Sequence, residues 1–309
     1  MEISMADVLV TGAGGVLGNA LVQALEAEGT DFVAVASRRD CNLEDYSDTL
    51  KLFESCQPKQ VYHLAGAVYG VGGNMAYPGD IFRRNTLINC NVVEAARTVG
   101  ATRFLGMGTV AMYADGLPMP LREDDVLTGQ PHSSERFYAF AKRGLLMQLE
   151  SYRLQYGMDY VMALSTNLYG PGDRFDPEHG HVIPSLIHKF VASRNKEPVS
   201  VWGDGSPTRD FLYSRDAADG LILLMKSGSG VYNLASGRSI TIRSLVETIA
   251  GLVPEATYAW DVDKPLGQLR RAYDISRLSD LGFVARTELQ DGLSETLNWY
   301  LENLGHVRS

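Results

Sequence analysis

The sequence predicts an α/β fold, a doubly wound parallel sheet with a smaller C-terminal lobe. Three observations predict it. At the start of the chain a short apolar run enters a glycine-rich turn and then an amphipathic stretch of helical period. From there to residue 164, β-branched runs alternate with helix-forming stretches, the pattern of a parallel sheet covered on both faces. The 309 residues suffice to bury a substantial interior, in one large domain or two sharing a core, and 45% hydrophobic with 21% charged residues is ordinary for a globular chain.

The first strand is Asp7-Val8-Leu9-Val10-Thr11. It runs into Gly12-Ala13-Gly14-Gly15-Val16-Leu17-Gly18, and Leu17, Leu21 and Leu25 then repeat at helical spacing up to Gly29, a residue suited to a helix C-terminus. Gly12, Gly15 and Gly18 stand three apart. Glycine serves such a turn by allowing the tight bend, the close approach of a pyrophosphate and the packing of helix on strand, and the helix N-terminus then faces the phosphates. The second strand is Phe32 to Ala36. A chain that binds NAD usually ends this strand on Asp or Glu, which takes the ribose hydroxyl. Here Ser37-Arg38-Arg39 follows, two guanidiniums where a 2′-phosphate would sit, so the expected cofactor is NADP(H) rather than NAD.

Lys59 to Ala65 reads as a strand, Asn89 to Val99 as a helix and Arg103 to Thr109 as a strand. Arg136 to Arg143 is a run of strong helix formers without Gly or Pro, and Tyr160 to Leu164 is a further strand. On the Arg136–Arg143 helix, Tyr138 and Lys142 lie four apart on one face. An ammonium beside a phenol favours the phenolate and lowers a pKa that is normally about 10. The Gly/Pro-rich loops at 171–180 and 203–207 mark where the second lobe is elaborated. No internal repeat, low-complexity tract or linker interrupts the chain.

Composition narrows the partners. A net charge of -9 argues against nucleic acid or an anionic membrane surface, though a local basic site for a small anion remains compatible. Cys41, Cys56 and Cys90 have no metal or disulfide spacing, so a reducing cytoplasm is expected. The N-terminal Met1-Glu2-Ile3-Ser4-Met5 has no basic region before an apolar run, and Leu221 to Met225 is far too short to span a bilayer. His179-Gly180-His181 lacks the further ligands a zinc site needs, so no metal is expected.

Taken together, the glycine turn, Thr109, and Tyr138 with Lys142 resemble the extended short-chain dehydrogenase/reductases. More narrowly, the chain is similar to the GDP-L-fucose synthases. The stretches that carry this are Asn74 to Asn85 with Tyr77-Pro78, Phe137 to Lys142, Glu150-Ser151-Tyr152 with Gln155-Tyr156-Gly157, Thr166 to Pro171, His181 to Pro184, and Trp202 to Gly205 leading to Arg209-Asp210-Phe211-Leu212. The similarity runs from about residue 5 to about 285 and is densest from 60 to 215. It implies a Rossmann domain of residues 1–166 plus about 210–236. It also implies a sugar-nucleotide lobe of about 167–209 plus 237–309, and a homodimer formed through helices that include the Tyr138 helix.

The resemblance also implies roles. Thr109 would hydrogen-bond the substrate carbonyl, Tyr138 would protonate its oxygen as hydride arrives, and Lys142 would hold the cofactor ribose. Moving a tyrosine from about 10 to about 7 needs roughly 4 kcal/mol of phenolate stabilisation, large for one lysine, so the nicotinamide charge and burial enter too. Gly12, Gly15, Val16, Leu17, Arg38, Arg39, Asn42, Leu43, Leu64, Ala65, Asn167 and Leu168 would line the cofactor site. Asn167, His181, Val182, Trp202, Arg209 and Arg271, the last beside Arg270, would hold a sugar nucleotide, implied to be GDP-linked. One departure bears on the chemistry. The family pairs a histidine, matched here by His181, with a cysteine at the position of Ala111 to move protons on carbon, and a methyl group can do neither half of that work. Gly108 and Leu266 depart as well.

The expected function is therefore NADPH-dependent reduction of a GDP-4-keto-6-deoxy hexose or heptose at C4, with epimerase activity weak or absent. Alternatives remain at this level: a bifunctional 3,5-epimerase/4-reductase, an NAD-dependent nucleotide-sugar 4-epimerase or C4 dehydrogenase, or a non-enzymatic NADP-binding module, since a fold alone does not fix function.

Overall fold

The computed structural model describes residues 5–177, 180–264 and 269–305. Met1 to Ser4, His179 and Leu266 lie outside them. The first half of the chain builds β1 (Val8–Thr11), α1 (Val16–Ala27), β2 (Phe32–Val35), α2 (Tyr46–Cys56), β3 (Gln60–His63), α3 (Gly70–Ala76), α4 (Pro78–Thr98), β4 (Arg103–Thr109), α5 (Arg136–Tyr156) and β5 (Asp159–Ser165). Next come β6 (Asn167–Tyr169), α6 (Val182–Ala192), β7 (Val199–Trp202), β8 (Thr208–Arg209), β9 (Phe211–Tyr213), α7 (Ser214–Ser227) and β10 (Gly230–Leu234). The chain closes with β11 (Ile240–Thr241), α8 (Ile242–Leu252), β12 (Tyr258–Asp261), α9 (Ser276–Asp280) and α10 (Leu289–Glu302).

Six strands form one parallel sheet in the order β10-β5-β4-β3-β1-β2. The chain leaves β1 outward to β2 and returns on the other side to β3. That reversal opens a crevice beyond the C-terminal ends of β1 and β3, the place where such sheets bind ligands. The sheet is apolar on both faces. Leu9, Phe104 and Met162 pack under α2, α4 and α5 with Phe53, Val92 and Leu149. Val10, Leu105 and Val161 pack on the other side with Leu21, Leu221 and Met225, so the short apolar run in α7 is core. Three two-stranded pairs, α6, α8 and α10 gather a third cluster around Phe175, Phe190, Phe211 and Leu245.

The elements differ from the sequence reading mainly in length. The helix expected over Asn89 to Val99 begins eleven residues earlier, because Pro78 occupies its first turn, where the absent N–H is not needed. The strand expected from Lys59 to Ala65 pairs only over Gln60–His63, since the chain then turns out of the sheet to form the cleft. Gly29 sits just past α1 with φ +68, the left-handed conformation a helix ending requires. Among the described residues no helix is long and apolar enough to cross a membrane.

Candidate active site

One cleft of about 1690 Å³ runs from the glycine turn to the third cluster. Pockets for one small ligand are typically about 300–1,000 Å³, so this one has room for two bound side by side.

The turn at one end is shaped by what glycine lacks. A Cβ on Gly12, which has φ +78, would stand 2.6 Å from the Ala65 nitrogen, and one on Gly18 would stand 2.2 Å from the Gly12 carbonyl. β1, the β3 exit and α1 can therefore converge only here. α1 begins at a Gly15 cap with no side chain over its first amides, which leaves those N–H groups to a ligand. Gly12, Gly15, Val16, Leu17, Leu64 and Ala65 line this end. Asn42 and Leu43 line it as well, and the Asn42 Oδ1 is buried without a hydrogen-bond partner among the described residues. An amide acceptor kept dry and unpaired fits a site completed by a donor from a ligand such as an adenine amine.

The end of β2 is more elaborate than its sequence suggests. An acid does fold back there: the Asp40 Oδ2 accepts from Ala36 N at 3.0 Å and Ser37 N at 2.8 Å, so it secures the loop. Arg38 lines the cleft, whereas Arg39 lines only an adjoining surface depression, so the expected pair of guanidiniums is not brought together in the cleft. A second cleft residue, Arg84 of α4, lies near Arg38 through Glu44, whose carboxylate is 3.7 Å from Arg38 and 2.8 Å from Arg84. Sequence reasoning missed Glu44 and Arg84, because forty residues separate them.

At the middle of the cleft stand Thr109, Ala111, Tyr138 and Lys142, with Asn167 and Leu168 beside them. Thr109 ends β4, and its Oγ1 accepts from Ala111 N at 3.2 Å, which leaves its hydroxyl proton for another acceptor. Gly108 before it is a packing requirement, since a Cβ would fall 2.6 Å from Leu164. Asn167 donates to the Asp210 carbonyl at 3.0 Å, tying β6 to the loop ahead of β9. Buried Lys142 lies with its Nζ 6.0 Å from the Tyr138 ring centre. The neighbouring Arg143 is structural: its guanidinium bonds the carbonyls of Met112, Gly129 and Thr128, holding the loop after β4 onto α5. Underneath, Asn89 bonds both His63, at 3.1 Å, and the Ala141 carbonyl, at 3.2 Å, fixing α5 against the sheet.

The electrostatics reverse one expectation. Tyr138 is not lowered by Lys142: burial pushes its pKa well up, and the Glu135 charge pushes it further. Burial also lowers Lys142 to about 8. Lys142 is buried and Tyr138 half-buried, and within the protein's own charges desolvation outweighs the attraction of one ammonium.

His181, Val182, Trp202, Arg209 and Arg271 line the far end. His181 is an exposed residue capping α6. Trp202 ends β7, exposed, with Lys264 Nζ 5.6 Å from its ring centre. Burial lowers the Arg209 pKa, and Arg271 is buried. Arg270 is exposed and outside the cleft lining. Glu135, which sequence reasoning did not single out, faces this end too. Cys90 is exposed on α4, away from the cleft, and does not stand in for the cysteine that Ala111 replaces. Among the described residues no three His, Cys, Asp or Glu side chains gather as metal ligands.

The arrangement offers helix amides for phosphates, a half-buried hydroxyl and phenol for a carbonyl, and guanidiniums for a second anion. Known proteins resemble the chain along its whole length. GDP-L-fucose synthase 1 of Arabidopsis thaliana is 35% identical over 98% of this chain and 96% of its own length. GDP-L-fucose synthase of Escherichia coli (strain K12) is 34% identical over 99% of this chain and 100% of its own length. The crystal structure of a GDP-L-fucose synthetase from Naegleria fowleri bound to NADP, 28% identical, superposes with a TM-score of 0.90 over 100% of this chain and 98% of its own. Residues 8–235 match the NAD dependent epimerase/dehydratase family, and the chain belongs to that family as an oxidoreductase of the short-chain dehydrogenase/reductase type.

Proposed function

We propose that this chain is an NADPH-dependent reductase of a GDP-linked 4-keto-6-deoxy sugar, hexose or heptose, acting at C4 with weak or absent epimerase activity. The observation that carries it is the convergence of Thr109, Tyr138 and Lys142 in the middle of a two-ligand cleft with Ala111 beside them. NADP(H) supplies the hydride when bound. The Gly12 turn and α1 amides suit its pyrophosphate, and Arg38 with Arg84 suits its 2′-phosphate, in keeping with the NADP-bound Naegleria fowleri relative.

On this reading Thr109 donates to the C4 carbonyl oxygen and orients it. Tyr138 delivers its proton to the same oxygen, and its raised pKa keeps that proton in place until charge develops there. Lys142 holds the ribose and offsets the phenolate left behind. Arg209 and Arg271 take the diphosphate of the sugar nucleotide, and GDP is the nucleotide named for the relatives at 34–35% identity. Moving a proton on C3 or C5 needs an acid/base on each side of the carbon, and His181 has lost its expected partner at position 111. Residues 1–166 with about 210–236 would form the nucleotide half, and about 167–209 with 237–309 the sugar half. The reading includes a cytoplasmic homodimer, and the net charge of -9 supports the absence of nucleic-acid or anionic-membrane partners.

The test is NADPH oxidation with GDP-4-keto-6-deoxymannose and a heptose analogue in deuterated water, run beside NADH. Turnover with an NADPH preference and little deuterium at C3 and C5 is expected. No turnover with any GDP-4-keto sugar overturns the reductase, and full deuterium incorporation overturns the epimerase deficit.

A further inference from the structure

We propose that Glu135 hydrogen-bonds the sugar hydroxyl next to the C4 carbonyl and so selects substrates in which that hydroxyl is present; this rests on the 4-keto-sugar reading of the cleft. Glu135 holds the N-cap position of α5, three residues before Tyr138, yet its side chain makes no cap hydrogen bond. Glutamate is a poor cap, and helix beginnings favour Ser, Thr, Asp or Asn, so capping does not explain the residue. No described residue hydrogen-bonds or ion-pairs with its carboxylate. The side chain is partly buried and lines the cleft with Ala111, Tyr138, His181 and Arg271.

A partly buried carboxylate without a bonded partner is costly, and burial pushes the Glu135 pKa up. The positive charge of Arg271 and, more weakly, of Arg209 works against that without reversing it. The same two arginines are the cleft's candidates for a diphosphate, so a negative group near them weakens anion binding unless it serves the substrate another way. The neutral part of a sugar nucleotide offers one such use, since a carboxylate is the strongest side-chain acceptor for a hydroxyl. In a 4-keto-6-deoxy hexose the carbons flanking C4 are C3, which bears a hydroxyl, and C5, which bears the methyl carbon. Tyr138 addresses the C4 oxygen, and Glu135, about one helical turn before it, is placed for the C3 hydroxyl. Ala111, in the same lining, offers no polar group to compete for that hydrogen bond.

The experiment compares full-length wild type with Glu135→Ala, using GDP-4-keto-6-deoxymannose and its 3-deoxy counterpart. For wild type, kcat/KM should fall about 10- to 100-fold when the C3 hydroxyl is removed. For the variant the hydroxy sugar should lose about 10- to 100-fold relative to the 3-deoxy sugar, so that the ratio collapses towards one, while any change common to both sugars comes from removing the Glu135 charge beside Tyr138 and the two arginines. An equal loss on both sugars marks a role in folding or in tuning Tyr138, and an unchanged ratio marks no role; either overturns the proposal. Circular dichroism and NADPH affinity should match wild type. Should wild type reduce neither sugar, the reductase reading falls, and the same comparison made in Kd by calorimetry decides the role of Glu135.

Discussion

Tyr138 and Lys142 are the residues on which most depends, and Lys142 pulls against stability. Tyr138→Phe keeps the ring and removes only the proton, so kcat should fall about 100- to 10,000-fold with NADPH affinity nearly unchanged. Stopped-flow hydride transfer with parallel binding titrations measures this, and a fall under tenfold would remove Tyr138 from the reaction. Lys142 shows the cost of the site. Its ordinary pKa of 10.5 is lowered to about 8 by burial. Between those values the unfolded chain binds the proton and the folded chain does not, so stability rises with pH across that window and the full cost stands below pH 8. That cost is on the order of 3 kcal/mol. Lys142→Met should therefore raise the Tm at pH 7 without added cofactor and flatten its rise between pH 8 and 10, while losing NADPH affinity. Differential scanning calorimetry across pH checks it, and a lower Tm at pH 7 would contradict it.

At the scale of elements, what was legible in the sequence is what is local. The glycine turn and the Tyr138/Lys142 spacing belong to single segments, and the strand–helix alternation follows from short-range pattern, so each could be read in place. Glu44 with Arg84, and Glu135 with Arg271, meet only because crossovers carry distant segments to one end of the sheet. No spacing announces them. Tyr138 was read from a true neighbour, but the sign of its shift depended on burial, which a spacing does not contain. Glycine shows the same division. Gly12 and Gly29 both have positive φ, +78 and +68, but only Gly12 faces a wall, and nothing lies within 4 Å of a Cβ on Gly29. Gly29→Ala should thus cost only the left-handed strain, about 1–2 kcal/mol, with cofactor binding intact. Gly12→Ala should cost more and abolish NADPH binding, because the β3 exit must move off the turn. Urea denaturation and fluorescence titration separate the two, and equal effects would contradict the argument.

At the scale of the whole molecule, α5 faces two ways. Its inner side, with Ala139, Leu145, Leu146 and Leu149, is core, and Lys142 beside them reaches the cleft. Its outer side carries Phe137, Phe140, Gly144, Met147, Ser151 and Leu154, spaced alternately three and four apart, which is one continuous helical stripe. Phe137, Met147 and Leu154 are 40%, 41% and 89% exposed, and Phe82 of neighbouring α4 is 42% exposed. A stripe so apolar is not what a solvated helix face presents. Gly144 midway along it would let a second helix approach closely, since a Cβ there meets nothing within 4 Å. A two-fold contact places each patch against its own copy. This is the basis for the proposed homodimer, and it ties assembly to catalysis, because the helix that would be clamped is the one bearing Tyr138. Met147→Glu near the middle of the stripe would set two carboxylates against each other across the axis. Sedimentation velocity should then show the wild type as a dimer and the variant as a monomer. The variant's kcat should fall less than that of Tyr138→Phe, because the charge acts on the helix rather than on the proton. A monomeric wild type, or a variant that stays dimeric, would move the interface off α5.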